Sequence, residues 1–256
     1  MKTKALVLSG YGINCENETK YSIEKVGGEA EILHVNELID SPHLLENFNF
    51  FVLPGGFSFG DDIGSGKVLA NKLHYKLKDK VKQFIEDGKL VLGICNGFQV
   101  LAKLGILPMP DFTQRVTLTY NESGRFEDRW VFLKTNRKSP CIFTKSIEYM
   151  MLPVRHGEGR FVLNSDSIFE DLTSNNLHVL QYMGPGGKLS GYPYNPNGSV
   201  FNIAGICDGT GRIFGLMPHP EGFNIPENNP YWTSEKIKEP QGLKIFKNAV
   251  DYLASL

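Results

Sequence analysis

The chain has 256 residues, 41% of them hydrophobic and 21% charged, with a formal net charge of −1. That length suffices for one sizeable core, and the near-neutral balance gives no electrostatic footprint for a nucleic acid or an anionic membrane. No apolar run approaches the roughly 18 residues of a membrane-spanning helix, and the opening MKTKALVLSG suits a first strand better than a signal peptide.

In chain order, KALVLSG (Lys4 to Gly10) reads as a strand, and a helix is expected from Glu16 to Val26, stopped by Gly27 and Gly28. EAEILHV resumes as a strand and FNFFVLPGG (Phe48 to Gly56) is a third. Val68 to Asp87 carries helical periodicity up to Gly88, KLVLGI is a fourth strand, and Asn96 to Leu104 is a helix stopped by Gly105. Strands apolar on both faces, alternating with helices, predict a parallel α/β sheet covered on both sides.

Beyond Pro108 the pattern changes. RVTLTY, RWVFLKT, EYMMLPV and RFVL are strand-like with no long helices between them, which predicts an antiparallel or mixed part of the sheet. SVFNIAGICD and GRIFGLMPH follow, joined by a tight turn at Gly209-Thr210-Gly211. Residues 223–242, rich in Pro and Asn, read as a surface excursion, and QGLKIFKNAVDYLASL closes the chain as an amphipathic helix. With no repeat or low-complexity linker, one domain is expected over residues 1–256.

Cys15, Cys95, Cys141 and Cys207 form no CxxC pair, and the histidines do not join them at zinc-ligand spacing. Scattered thiols of this kind fit a reducing cytoplasm, and the ordinary expectation for each is a buried, inert side chain. Adjacent carboxylates such as Asp61 and Asp62 project in different directions, so no metal site is expected.

In open parallel sheets, functional groups collect beyond the carboxyl ends of the strands. Three segments put unusual residues there. VLPGGFSFGDD runs a strand out into Gly55 and Gly56, where the missing Cβ lets backbone N–H groups face a cleft. GICNGFQ sets Gly93 and Gly97 two residues either side of Cys95, the small-residue spacing of a strand–turn–helix elbow. Cys95 would then start a helix, where thiolate is favoured, with the Asn96 N–H directed at a developing oxyanion. In GLMPHPEG, prolines push Met217 and His219 towards extended backbone. Positions i and i+2 then share a face, so Glu221 can orient the His219 imidazole while its other nitrogen takes a thiol proton. Together the segments compose a Cys-His-Glu triad.

Gly93-Ile-Cys95-Asn-Gly97-Phe-Gln99 resembles the GxCxGxQ signature of the class I (triad-type) glutamine amidotransferases, and His219-Pro-Glu221 resembles their second signature. LPGGFSFGDD, GICNGFQVLAKLGILP, NESGRFEDRW (Asn121 to Trp130), PVRHGEGRF (Pro153 to Phe161) and FGLMPHPE are similar, within that class, to the glutaminase subunits of phosphoribosylformylglycinamidine synthase. The resemblance implies an α/β, flavodoxin-like three-layer sandwich with a mixed, mostly parallel central sheet.

It also implies roles. Cys95 would form a γ-glutamyl thioester with glutamine, His219 would act as base and then acid, and Glu221 would orient it. The N–H groups of Gly56 and Asn96 would form the oxyanion hole, with Gly55, Gln99, Gly157 and Glu158 around the substrate. No cofactor is implied in this chain: ATP and Mg²⁺ belong to a synthetase subunit that takes formylglycinamide ribonucleotide, and a small accessory subunit completes the complex. Arg125, Glu127 and Arg129 alternate along one strand face, where the resemblance places the synthetase. Gly222 stands where many relatives carry arginine, and residues 223–242 have no counterpart. Two alternatives stay open. The glutaminase of another amidotransferase is disfavoured by the Arg125 and His156 segments. A silent regulatory module would lack one of the triad residues.

Overall fold

A nine-stranded sheet organises residues 2–256, the part of the chain described by the computed structural model. The first half contains β1 (Lys4–Ser9), α1 (Glu16–Lys25), β2 (Glu29–His34), α2 (Val35–Asp40), β3 (Phe50–Leu53), α3 (Lys67–Glu86), β4 (Leu90–Ile94) and α4 (Asn96–Leu104). Then come β5 (Val116–Thr119), β6 (Glu127–Thr135), β7 (Tyr149–His156), β8 (Arg160–Leu163), α5 (Asp166–Ser174), β9 (His178–Met183), β10 (Ile203–Cys207), β11 (Ile213–Leu216) and α6 (Leu243–Ala254).

The strand order is β2-β1-β3-β4-β11-β10-β9-β6-β7, and β5 pairs with β8 in a separate two-stranded sheet. The five strands from β2 to β11 run parallel, and the remaining four are added antiparallel. Side-chain patterning follows the layers over the sheet and not strand direction, since antiparallel β10 is buried throughout and parallel edge strand β2 is not. FFVL of β3 and LVLGI of β4 are buried at every position, as strands covered on both faces must be. β6 alternates buried Val131, Leu133 and Thr135 with exposed Phe132 and Lys134, the mark of a sheet with one wet face.

From β1 the chain crosses to β2 on one side, whereas from β3 it crosses to β4 on the other. Right-handed crossovers therefore place α1 and α3 on opposite faces of the sheet. α6 packs with α1 and α4 with α3, which completes the two helical layers. α3 buries Leu69, Leu73, Leu77, Val81 and Phe84 along one stripe, each worth roughly 1.5–3 kcal/mol of hydrophobic burial. Among the described residues, no helix is long and apolar enough to cross a membrane.

Three elements depart from the sequence expectation. Val35 opens the short α2 instead of ending a strand, because the His34 ring accepts a hydrogen bond from Asn36 N (3.1 Å) and caps the turn. α5 buries only Ile168 and Leu172, too few apolar positions to show a period. β9 follows it and enters the sheet between β10 and β6.

Candidate active site

The strand order makes β1 and β3 neighbours although β2 lies between them in sequence. Such a switch point opens a crevice beyond the strand ends, and the site is built there. β4 leaves the sheet through Cys95, whose backbone adopts φ +50° and ψ −104°. A non-glycine residue in such a region costs of order 1–3 kcal/mol unless its surroundings hold it. Here they do. Cys95 N donates to Leu216 O at the end of β11 (2.8 Å), and Cys95 O accepts from Gln99 N in the first turn of α4 (3.0 Å). The flanking glycines allow the close approach: a Cβ on Gly97 would lie 1.9 Å from Leu53 O. The thiol is almost completely buried, 3.7 Å from Arg155 O. Asn96 follows, and its N–H is among the orphan donors of the first helical turn.

His219 follows β11 in extended backbone (φ −102°, ψ 95°), as its proline neighbours require. Its N–H donates to Pro153 O (2.8 Å), which ties the strand exit to β7. Its Nδ1 lies 2.5 Å from Glu221 Oε1, and both residues are 3% exposed. His219 Nε2 and Glu221 Oε2 are buried without a hydrogen-bond partner. Burial works against the imidazolium, but the Glu221 carboxylate and the Cys95 and Cys15 thiols outweigh it and raise the His219 pKa well above the usual imidazole value.

Gly55 closes the crevice behind this pair: a Cβ there would fall 2.6 Å from His219 Cε1 and 3.3 Å from Cys15 Sγ. The loops after β1 and β3 are stitched together, with Gly55 O accepting from Asn14 N and Cys15 N (both 3.3 Å) and Gly56 bridging to Ile13. The stitching brings in a residue that sequence reasoning missed. Cys15 is not an inert core thiol: it is half-buried at the start of α1, and its sulfur, a His219 ring nitrogen and a Glu221 oxygen lie within 4.8 Å of one another. Burial pushes the Cys15 thiol up and outweighs the opposing pull of the His219 imidazole. Cys141 and Cys207 are buried, as expected of structural thiols.

On the far side of Cys95, the amide of Gln99 is used inside the protein. Its Oε1 accepts from Asn96 Nδ2 (2.8 Å) and its Nε2 donates to Glu158 O (2.6 Å). Asn96 Oδ1 accepts from Ser58 N (3.1 Å), and Glu158 Oε2 accepts from Ser65 N (3.3 Å). The intervening loop holds Phe59, Asp61 and Ile63 at positive φ (57°, 57° and 54°), strain of the kind that collects at binding sites.

Asn121 joins the two long motifs. Its Oδ1 faces His156 Nδ1 (3.1 Å) and accepts from Gly159 N (2.9 Å), while its Nδ2 donates to His156 O (2.7 Å) and Arg125 O (2.8 Å). Burial, reinforced by the nearby His219, lowers the His156 pKa to about 3, so the ring is neutral and anchors Gly157 and Glu158. Asn197 Nδ2 lies 3.5 Å from the other nitrogen of that ring. Neither asparagine carries a spacing signal of its own.

The expected docking strand is partly turned inward: Arg129 pairs with buried Glu127 and donates to Tyr192 OH (3.0 Å). Beside Gly222, Arg155 Nη2 lies 3.9 Å from where a Cβ would stand, so a guanidinium occupies that neighbourhood from β7.

The family described as CobB/CobQ-like glutamine amidotransferase domain matches residues 2–253. The chain belongs to this glutamine amidotransferase family. Within it, the chain is similar to the phosphoribosylformylglycinamidine synthase subunit PurQ of Dehalococcoides mccartyi, 49% identical over 98% of each chain. The PurQ subunit of Methanococcus maripaludis is 46% identical over 98% of this chain and 99% of its own. Among solved structures, that of PurLQS from Thermotoga maritima superposes with a TM-score of 0.73 at 30% identity, covering 99% of this chain and 100% of the other. Another glutamine amidotransferase from Thermotoga maritima shares the fold alone (TM-score 0.59, 14% identity, 100% of each chain covered).

Proposed function

We propose that this chain is the glutaminase subunit of phosphoribosylformylglycinamidine synthase, releasing ammonia from glutamine for a synthetase subunit that converts formylglycinamide ribonucleotide to its amidine. The chemistry is carried by one observation: a strained, buried Cys95 at the head of α4 lies close enough to the buried His219, itself paired with Glu221, to raise the imidazole pKa. The PurQ relatives and the PurLQS structure support the reaction and the partner.

In this reading Glu221 accepts from His219 Nδ1–H, which leaves Nε2 as the base for the Cys95 thiol. The sulfur attacks the side-chain amide carbon of glutamine. Charge builds on the amide oxygen, facing the N–H groups of Asn96 and Gly56. His219 returns the proton to the departing ammonia and leaves a γ-glutamyl thioester. Water, deprotonated by the same imidazole, then cleaves the thioester to glutamate and restores the thiol. Gly55 keeps the space beside the imidazole clear, and the backbone at Gly157 and Glu158 receives the amino-acid end of the substrate. Gln99 acts through Glu158, whose carbonyl it holds.

The chain works as one domain in the cytoplasm and binds no cofactor; ATP and Mg²⁺ sit on the synthetase, and a small accessory subunit completes the complex. Cys95→Ala in the assembled complex should lower glutamine-dependent synthesis about 10³-fold or more and leave synthesis from added ammonia intact. Survival of the glutamine-dependent rate would refute the assignment.

A further inference from the structure

We propose that Cys15, His219 and Glu221 form a binding site for a thiophilic divalent cation, with Zn²⁺ the fitting ion, and that its occupancy silences the triad. The donor atoms come from opposite ends of the chain and converge within 4.8 Å of one another. A second feature points to a ligand independently of the thiol: His219 Nε2 and Glu221 Oε2 are buried polar atoms without a hydrogen-bond partner. Unpaired buried groups of this kind carry a desolvation cost that a cation would relieve.

The donor set decides the metal. One thiolate, one imidazole and one carboxylate match the nitrogen, sulfur and oxygen ligands of tetrahedral Zn²⁺, which takes sulfur at about 2.3 Å and nitrogen or oxygen at about 2.0–2.2 Å. Mg²⁺ requires oxygen ligands in octahedral array and retains its waters, so it is rejected. A complex that works in Mg²⁺ would thus remain open to inhibition by Zn²⁺. Tetrahedral bond lengths of this size imply donor separations of about 3.3–3.7 Å, inside the 4.8 Å that bounds the present spacing, and a metal on Nδ1 would part that nitrogen from Glu221 Oε1, now 2.5 Å away. Cys15 is half-buried, so water can reach the fourth position.

Binding releases the Cys15 thiol proton to solvent and forms the metal–sulfur bond; no electron is transferred. At His219 either mode of ligation stops the chemistry. A metal on Nε2 fills the base position, and a metal on Nδ1 displaces the proton that links the ring to Glu221. The effect on turnover rests on the proposed roles of His219 and Glu221, whereas the binding site does not.

The test has two arms. Co²⁺ titrated into the purified chain should produce a thiolate-to-cobalt charge-transfer band with tetrahedral ligand-field bands, and Zn²⁺ should bleach both. Cys15→Ser and Cys15→Ala should lose the charge-transfer band while keeping the wild-type unfolding midpoint, and Cys95→Ala should keep it. Persistence of the band in folded Cys15 variants, or its loss in Cys95→Ala alone, overturns the site. In the assembled complex, Zn²⁺ should suppress glutamine-dependent but not ammonia-dependent synthesis. Cys15→Ser should raise the Zn²⁺ needed at least about tenfold; equal inhibition of the variant overturns the regulatory claim. A Cys95→Ala complex that still used glutamine would instead remove the proposed function and leave the cobalt result standing.

Discussion

Two helices in this protein start on a cysteine that follows a parallel strand, and the two cysteines have diverged. Cys95, between β4 and α4, is held at φ +50° with glycines on either side, its sulfur buried. Cys15, ahead of α1, sits at φ −108° and ψ 15° in a relaxed, half-open loop. Both thiols influence the same imidazole. A helix N-terminus is therefore not what distinguishes the proposed nucleophile. The difference is an enforced backbone, in which a close glycine contact against Leu53 O and a hydrogen bond to Leu216 O fix where the sulfur stands.

Removing the proposed base should abolish that difference most completely. His219→Asn is expected to lower glutamine-dependent synthesis by about 10²–10⁴-fold, with the ammonia-dependent rate as the control. A loss smaller than tenfold would mean that the elbow activates its thiol without the imidazole.

The crevice around the elbow should also be the acid-sensitive part of the molecule. His156 has a folded pKa near 3, below its unfolded value, so between that value and about 6.5 the unfolded chain binds more protons. Stability is then full above about 6.5 and falls as the pH is lowered, by up to about 1.4 kcal/mol per pH unit. Denaturant titrations across that range should show the slope, and His156→Gln should flatten it. An unchanged slope would place the acid sensitivity elsewhere.

Gly97→Ala tests the enforced backbone directly. The added Cβ meets Leu53 O, so a cost of about 1–3 kcal/mol is expected in chemical denaturation, with glutamine turnover falling further than the stability change explains. Smallest should be Cys15→Ser in the absence of added metal: losing one weak interaction with the imidazole should alter glutamine turnover by no more than about fivefold. A larger drop would make the two thiols partners in the reaction.

The same contrast explains what can be read from the amino-acid order. The elbow is a local device. Gly93, Cys95 and Gly97 declare it within five residues and His219-Pro-Glu221 declares the pair, although Glu221 reaches the imidazole from a 3₁₀ turn over Pro220–Gly222 and not along an extended segment. The candidate triad is therefore legible, and the parallel strands around it are too. Cys15 is not, because it reaches the site through the adjacency of β1 and β3, which no local pattern encodes. The network of Asn121, His156 and Asn197 is hidden for the same reason: its members meet only after β6 and β7 pair. α5 escapes because two buried side chains make no period.

The central claim turns on which sulfur carries the glutamyl group. Wild-type complex quenched during turnover with glutamine, then digested and analysed by mass spectrometry, should show the glutamyl adduct on the peptide bearing Cys95 and none on the peptide bearing Cys15. An adduct on Cys15, or turnover that never places one on Cys95, would contradict it.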